Sequence, residues 1–465
     1  MTSLFSLQKA TRPALTLLGL GLGLAGCQTN IDAPSASPGT LDFTSYVAVG
    51  NSLTSGYTDG GLYNSAQATS YPALLAQQFG KTGKGPATFV QPAFSAGKAD
   101  GSGYIKLLAA NGALGPVVPS LANQFLGEQV AYTGQALLSG QPQLEAYSGA
   151  QPDNLGVPGI SVLSSYAPLT GGLAPYGLLN QFYERLLTPA EKPTKDYVTY
   201  IGQKTPTFFT CWMGNNDVLT YATNGGVASP ADPFSDLTDT LRFGIGYRAI
   251  LTTMTKNGTV KGAVANIPGV TGVPYFTTVT VAAVNASIKG NAALPNAATA
   301  GLYITTAKGV RAATATDLLT LTAQGAIGQP STTPGNPFPV GVGYSATQSN
   351  PLPSKYVLDP DEVTALTART TQLNAIIAKT ARRFNVPVVD MNAYFASVIA
   401  SGAVSNAVSN NATFVTGNVF GLDGVHPTPR GYALIANEWL RVINNYYGST
   451  IPGVNANDYR GVLLP

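Results

Sequence analysis

The stretch that decides the reading is "YVAVGNSLTSGYTDGG", Tyr46 to Gly61. Tyr46 to Val49 is a short apolar run with two valines, of the length and composition of a buried strand. It stops on Gly50, Asn51 and Ser52, and a glycine-rich loop follows. Gly, Asn and Ser are ordinary turn formers, so one reading is a plain strand-to-loop turn. The other is a serine held up at a strand end as a nucleophile. Position 52 alone does not choose between them.

Working outward, the same alternation recurs. "SYPALLAQQFG" (Ser70 to Gly80) predicts a helix, with Ser70 as its cap and Pro72 in its first turn. "TFFTCWM" (Thr207 to Met213) and "VKGAVANIPG" (Val260 to Gly269) read as strands, with a helical stretch from Leu237 to Gly258 between them. The best helix runs from Pro360 to Phe384: Asp359 caps it and Glu362 completes a capping box. Val363, Leu366, Thr370, Leu373 and Ile377 give it one buried face. "VPVVD" (Val386 to Asp390) is a fourth strand, and a last helix starts near Thr428-Pro429. Apolar strands alternating with helices predict an α/β fold, a mostly parallel sheet covered on both faces. Ligands of such sheets sit beyond the carboxyl ends of the strands. Ser52 and the residues after Met213 lie at such ends.

Composition narrows the function. Of 465 residues, 44% are hydrophobic and 10% charged, against roughly 25% charged in an average soluble protein. A net charge of +3 with no run of Lys and Arg argues against a nucleic-acid partner. Two Cys and one His cannot build a Cys/His zinc site, and neither a metal nor a cofactor is expected.

The amino-terminal residues read as a targeting segment. Lys9 and Arg12 precede the apolar "ALTLLGLGLGLAG" (Ala14 to Gly26), too short to span a bilayer comfortably. "LAGC", Leu24 to Cys27, resembles a bacterial lipobox, with Cys27 as the lipidated residue; an ordinary signal peptide is the alternative. Gln28 rather than Asp follows, which under enteric-type sorting favours the outer membrane over the inner. With Cys27 lipidated, Cys211 is the only thiol left. The expected organisation is a signal peptide over 1–26, a tether over 27–41, one domain over 42–450 and a tail over 451–465. Residues 81–150 and 277–355, rich in Gly, Ala, Thr and Pro, are expected as insertions.

Scarcity points to the chemistry. A hydroxyl needs a base near neutral pH, and His is the usual one. His426 is the only His, so a Ser-His mechanism has no other candidate. Asp423 stands three residues before it, within reach of the second ring nitrogen. Two further segments, "PDNLGVPGISV" with Asn154 and Gly159, and "CWMGNNDVL" with Gly214, Asn215, Asn216 and Asp217, read singly as turns.

Taken in order, the four segments resemble the SGNH (GDSL-type) serine hydrolases. Gly50-Asn51-Ser52-Leu53 is similar to the first block, Asn154 to Gly159 to the second, Gly214, Asn216 and Asp217 to the third, and Asp423 with His426 to the last. The first block departs in carrying Asn51 where the family has Asp. The second block also comes late, 107 residues after Ser52 (159 − 52). The resemblance covers the framework and not the two insertions. It implies a three-layer α/β/α, flavodoxin-like fold. It implies Ser52 as nucleophile, His426 as base and Asp423 as its orienting acid, with Ser52 and Gly159 backbone N–H groups and the Asn216 amide as the oxyanion hole.

The expected activity is an ester hydrolase of the bacterial cell envelope, held to the membrane by its lipid and acting on small-molecule or lipid-like acyl esters. A carbohydrate O-acetyl esterase is the alternative within enzymes, and aromatics near Ser52 (Tyr57, Tyr63, Tyr71) bear on it. A binding lipoprotein with a vestigial site is the alternative outside them. The apolar insertions are expected to cover the site and favour an acyl chain. The sequence fixes no oligomeric state.

Overall fold

Five short parallel strands form the central sheet: β1 (Tyr46–Gly50), β2 (Asn154–Gly156), β3 (Phe208–Trp212), β4 (Lys261–Ala265) and β5 (Val388–Val389). The computed structural model describes residues 35–110, 113–116, 127–135, 142–166, 180–192, 194–229, 232 and 234–464. Strand order across the sheet is β5-β4-β3-β1-β2. Every residue of β1 and β3 is buried, which is why both read as unbroken apolar runs. Read from β2, the order is 2-1-3-4-5, the flavodoxin-like order, and its switch point lies between β1 and β3. That geometry puts the ligand crevice where Ser52 and Asn216 leave the sheet.

The framework helices are α1 (Ser52–Ser55), α2 (Tyr71–Gly80), α3 (Val162–Ser165), α4 (Tyr197–Gly202), α5 (Asn216–Thr223), α6 (Thr240–Met254), α7 (Pro360–Arg383) and α8 (Pro429–Tyr447). Helices α2 and α8 pack together over one face of the sheet, and α3, α4 and α7 pack around α6 over the other, giving three layers. Alternate residues of β3 face α2 and α8: Phe208 meets Phe79 and Tyr447 edge-on, and Trp212 meets Tyr71 and Trp439. The α7 capping box forms as expected. Asp359 accepts from the backbone N–H of Asp361 and Glu362, and Glu362 Oε2 accepts from Asp359 N at 2.7 Å. Thr428 caps α8, accepting from Gly431 N at 3.1 Å. No helix among the described residues is long and apolar enough to cross a membrane.

Two expectations are corrected. Ser70 precedes α2 without capping it: its hydroxyl accepts from Gln91 Nε2 at 3.1 Å instead, drawn into a buried polar network. Residues 451–464 are not a loose tail. Ile451, Val454 and Ala456 are buried, and the Asn437 and Asn444 side-chain amides of α8 bond the backbone of Val454 and Ile451 on both sides. The later insertion carries a small fold of its own. A four-stranded antiparallel sheet, ordered Gly309–Ala312, Gly301–Thr306, Val342–Ser345, Gln348–Ser349, shares a separate small core with helix Val281–Lys289. Of the earlier insertion, Phe94, Ala131 and Leu144 pack with Leu62 beside Tyr57. The signal peptide, Cys27 and most of the tether lie outside the described residues.

Candidate active site

The serine is set by two close approaches of backbone. A Cβ on Gly50 would lie 1.9 Å from Thr54 Oγ1, and one on Gly156 would lie 2.4 Å from Ser55 N. Only glycine lets β1 turn straight into α1 and lets β2 press against it. Asn51 caps α1, its Oδ1 accepting from Leu53 N at 3.1 Å. Ser52 is therefore the first residue of a helix at a strand end, 6% exposed.

His426 comes from the loop before α8. Its Nε2 lies 2.9 Å from Ser52 Oγ, and its Nδ1 lies 2.9 Å from Asp423 Oδ2. With the proton on Nδ1 facing the carboxylate, Nε2 accepts from the serine hydroxyl. Asp423 also accepts from Val425 N and His426 N on Oδ1 and from Gly60 N on Oδ2, each at 2.8 Å. Burial would raise this carboxyl; His426 and these backbone N–H groups outweigh it and hold Asp423 below the ordinary value. Ser52, His426 and Asp423, up to 374 positions apart, are brought into one hydrogen-bonded chain.

The register places the other two blocks. Gly50 pairs with Gly156 on β2 and Trp212 on β3. Gly159 and Asn216 thus follow the same sheet level by three and four residues, as Ser52 does by two. Gly159 sits at φ +79°, and its Cβ position is open apart from Asn180 Nδ2 at 3.5 Å. Asn216 Nδ2 donates to Ile160 O at 2.8 Å, tying α5 to the Gly159 loop. Asp217 completes the stitch, accepting from Val162 N at 2.7 Å and Leu163 N at 3.1 Å. Its burial pushes the carboxyl up to about 6 against these bonds.

A narrow cavity of about 40 Å³ opens beside Ser52 and His426. Its wall is apolar, with Leu53, Leu219, Val270, Val273, Phe395 and Phe420 among its residues. Among the described residues none of either insertion lines it, so their described parts do not form this wall. The insertions flank the His426 loop instead. Tyr275, just ahead of the later one, donates its backbone N–H to Gly424 O at 2.9 Å and meets Thr322 at 3.4 Å. Tyr57, which rests on the earlier insertion, lays its ring 4.6 Å from the His426 ring. Tyr63 and Tyr71 are buried, which leaves Tyr57 as the aromatic of the three with partial exposure beside His426.

Sequence reasoning missed the brace behind Asp423. Thr58 to Gly61 form a tight turn with Asp59 at φ +50° and Gly60 at φ +76°. Two successive positive φ values explain the Asp-Gly pair. The turn aims Gly60 N at Asp423 and lets Asp59 Oδ1 accept from Leu422 N at 2.9 Å. Arg460 reaches Asp59 Oδ2 at 3.4 Å and donates to Tyr63 Oη at 2.7 Å. The "TDGG" signal was visible as a turn; its partner was not. Asn215 was also passed over: buried at the cavity wall, its side-chain amide has no partner among the described residues.

Ser52, His426 and Asp423 thus line up at the switch point of a parallel sheet in a three-layer α/β/α fold. The family model for GDSL-like Lipase/Acylhydrolase matches residues 46–439, so the chain belongs to that family and is an ester-hydrolysing enzyme. No curated protein matches the chain. Among solved structures it is similar to the crystal structure, at 2.86 Å, of a GDSL-like protein from Parabacteroides merdae ATCC 43184. The two are 12% identical, with 87% of this chain and 97% of that one covered and a TM-score of 0.33.

Proposed function

We propose that the chain cleaves carboxylic esters with Ser52 as nucleophile, His426 as base and then acid, and Asp423 as the group that orients the imidazole. The observation that carries this is the unbroken line Ser52 Oγ, His426 Nε2, His426 Nδ1, Asp423 Oδ2, with 2.9 Å at each contact between residues. Ser52 Oγ attacks the carbonyl carbon as its proton passes to Nε2. The oxyanion is held by the Ser52 and Gly159 N–H groups and the second Asn216 Nδ2 proton, each worth up to about 3–4 kcal/mol of barrier. His426 then protonates the leaving alcohol. A water, giving its proton to the same nitrogen, releases the acid and restores Ser52. Asp423 stays ionised throughout, in keeping with its lowered pKa.

The apolar wall supports an acyl group in the cavity beside Ser52. At roughly 10–15 Å³ of free volume per water-sized group, 40 Å³ suits an acyl chain of about two to four carbons. The same size admits acetyl, and Tyr57 beside His426 offers a face to a sugar, so a carbohydrate O-acetyl esterase is the second reading. The lipobox-like "LAGC" supports a lipid on Cys27 that holds the enzyme to the bacterial envelope. Mass spectrometry of the mature chain tests that lipid.

A fluorophosphonate probe should label the wild type and leave Ser52→Ala unlabelled, with kcat on p-nitrophenyl esters down by several orders of magnitude. Wild-type activity in Ser52→Ala refutes the mechanism. Across p-nitrophenyl acetate, butyrate and octanoate, kcat/KM should peak at butyrate, gaining up to about 0.8 kcal/mol per CH₂ until the cavity is full. A peak at acetate, with release of acetate from acetylated glycans, promotes the second reading.

A further inference from the structure

No run of cations exists in the sequence, yet the fold assembles a face of them. From Asp239 to Asp317, and again from Glu362 to Asp390, the chain holds no carboxylate between the named residues. Helices α6 and α7 come from these two stretches and pack side by side in the outer layer. The groove between them is lined by Leu241, Ile245, Arg248, Lys379, Arg382 and Arg383. All four cations are exposed, and none has an ion-pair partner among the described residues. Leu241 is 72% exposed and Ile245 54%, one turn apart on the same side of α6. A second groove along the β5 edge shares Arg382 and adds Tyr446, 53% exposed, and Arg441, which is ion-paired with Glu438.

This combination selects its partner. Clustered cations without counter-charges repel one another and attract a dense anionic surface. Exposed leucine and isoleucine among them have nothing to gain from phosphate or water, and do gain from an apolar layer below the charges. A nucleic acid or an acidic polysaccharide meets the first demand and not the second. We propose that the α6–α7 face docks on an anionic phospholipid bilayer, its four cations at the headgroup phosphates and Leu241 and Ile245 reaching the acyl boundary. Tyr446 continues the face toward the place where the chain joins the domain, since Ser37 pairs with Thr450 four residues further on. A lipid on Cys27, ten residues before Ser37, and this face are the two signals that stable attachment takes. The proposal does not rest on the esterase chemistry.

The test compares co-sedimentation of the full-length chain with vesicles of phosphatidylcholine alone and vesicles with about 30 mol% phosphatidylglycerol, at about 0.1 M NaCl. Any lipid on the protein contributes equally to both. The expected result is an approximately tenfold or greater gain in partition with phosphatidylglycerol, abolished at about 1 M NaCl. The combined variant Arg248→Gln/Lys379→Gln/Arg382→Gln/Arg383→Gln should lose the gain, and Leu241→Ser/Ile245→Ser should weaken it severalfold. Because all six side chains line an outer groove, both variants should melt with the wild type by circular dichroism, which separates lost docking from lost folding. Equal partition into both vesicles overturns the proposal, as does a phosphatidylglycerol preference that survives in the folded cation variant. Binding that ignores Leu241→Ser/Ile245→Ser and is matched by heparin-agarose identifies a polyanion surface and overturns the bilayer assignment.

Discussion

Replacing Arg460 by alanine tests whether a residue far from Ser52 sets Asp423, the carboxylate proposed to orient His426. Arg460 stands 401 positions from Asp59, in a segment that the sequence presents as a tail. Its guanidinium meets Asp59 Oδ2 at 3.4 Å twice, and Asp59 in turn holds the Leu422 N–H one residue before Asp423. Breaking a buried ion pair costs about 3–5 kcal/mol. Here the contacts are long and Arg460 keeps 27% of its side chain exposed, so about 1–3 kcal/mol is the better figure. Loosening the 421–424 loop misplaces Asp423 and through it His426, and an error of that size costs ~10–100-fold in rate. The assay is kcat and KM on p-nitrophenyl acetate together with the thermal midpoint. The expected result is a lower kcat at nearly constant KM, because Arg460 does not line the cavity beside Ser52. pH supplies a second readout. Burial raises the Asp59 carboxyl above its ordinary value while Leu422 N and Arg460 pull it down. Folding therefore favours its protonated form, and stability falls as pH rises through the folded value. Removing Arg460 moves that value higher still, so the destabilisation should be small below the folded value and should grow as pH rises through it. Asp59→Asn should be non-additive with Arg460→Ala. A folded Arg460→Ala enzyme with wild-type kcat refutes the brace.

Two further outcomes follow from the same geometry. Asn216→Ala should lower kcat by about 10²–10³ with little change in KM, and loss of affinity at constant kcat reassigns Asn216 to binding. Glu362, pushed up to about 7 chiefly by burial and by Asp359 and Asp361, should make the fold less stable as pH rises from about 4.5 through 7. Glu362→Gln keeps the capping-box acceptor, so by thermal melting it should match wild type at pH 5 and exceed it by about 1–2 kcal/mol at pH 8, after allowance for its partial exposure.

The framework was legible because its signals are local. Tyr46 to Val49 and Thr207 to Met213 read as strands since both faces of β1 and β3 are buried, and the α7 cap is written in Asp359, Pro360 and Glu362. The proposed nucleophile and its proposed partners were picked out by scarcity and order: one histidine, one carboxylate three residues before it, one serine at a strand end. β2 was not legible as a strand. Its three residues, Asn154–Gly156, give no periodicity, and only pairing with Ala48 to Gly50 makes them one. The later insertion hid its sheet for a similar reason, since strands of two to six residues rich in Thr, Ala and Gly carry little alternation.

By itself, then, the sequence determined the alternation of strand and helix, the first strand's end at Ser52, and the pairing of Asp423 with His426, because each depends on residues a few positions apart. Only the tertiary structure decided what surrounds them. That Asp59 and Arg460 brace Asp423, that no described residue of either insertion lines the cavity, and that cations scattered over α6 and α7 converge on one face all depend on contacts spanning more than a hundred residues. Such contacts are fixed by the packing of helices on the sheet, and hydrophobic burial, which drives that packing, leaves no mark on the polar residues it happens to bring together.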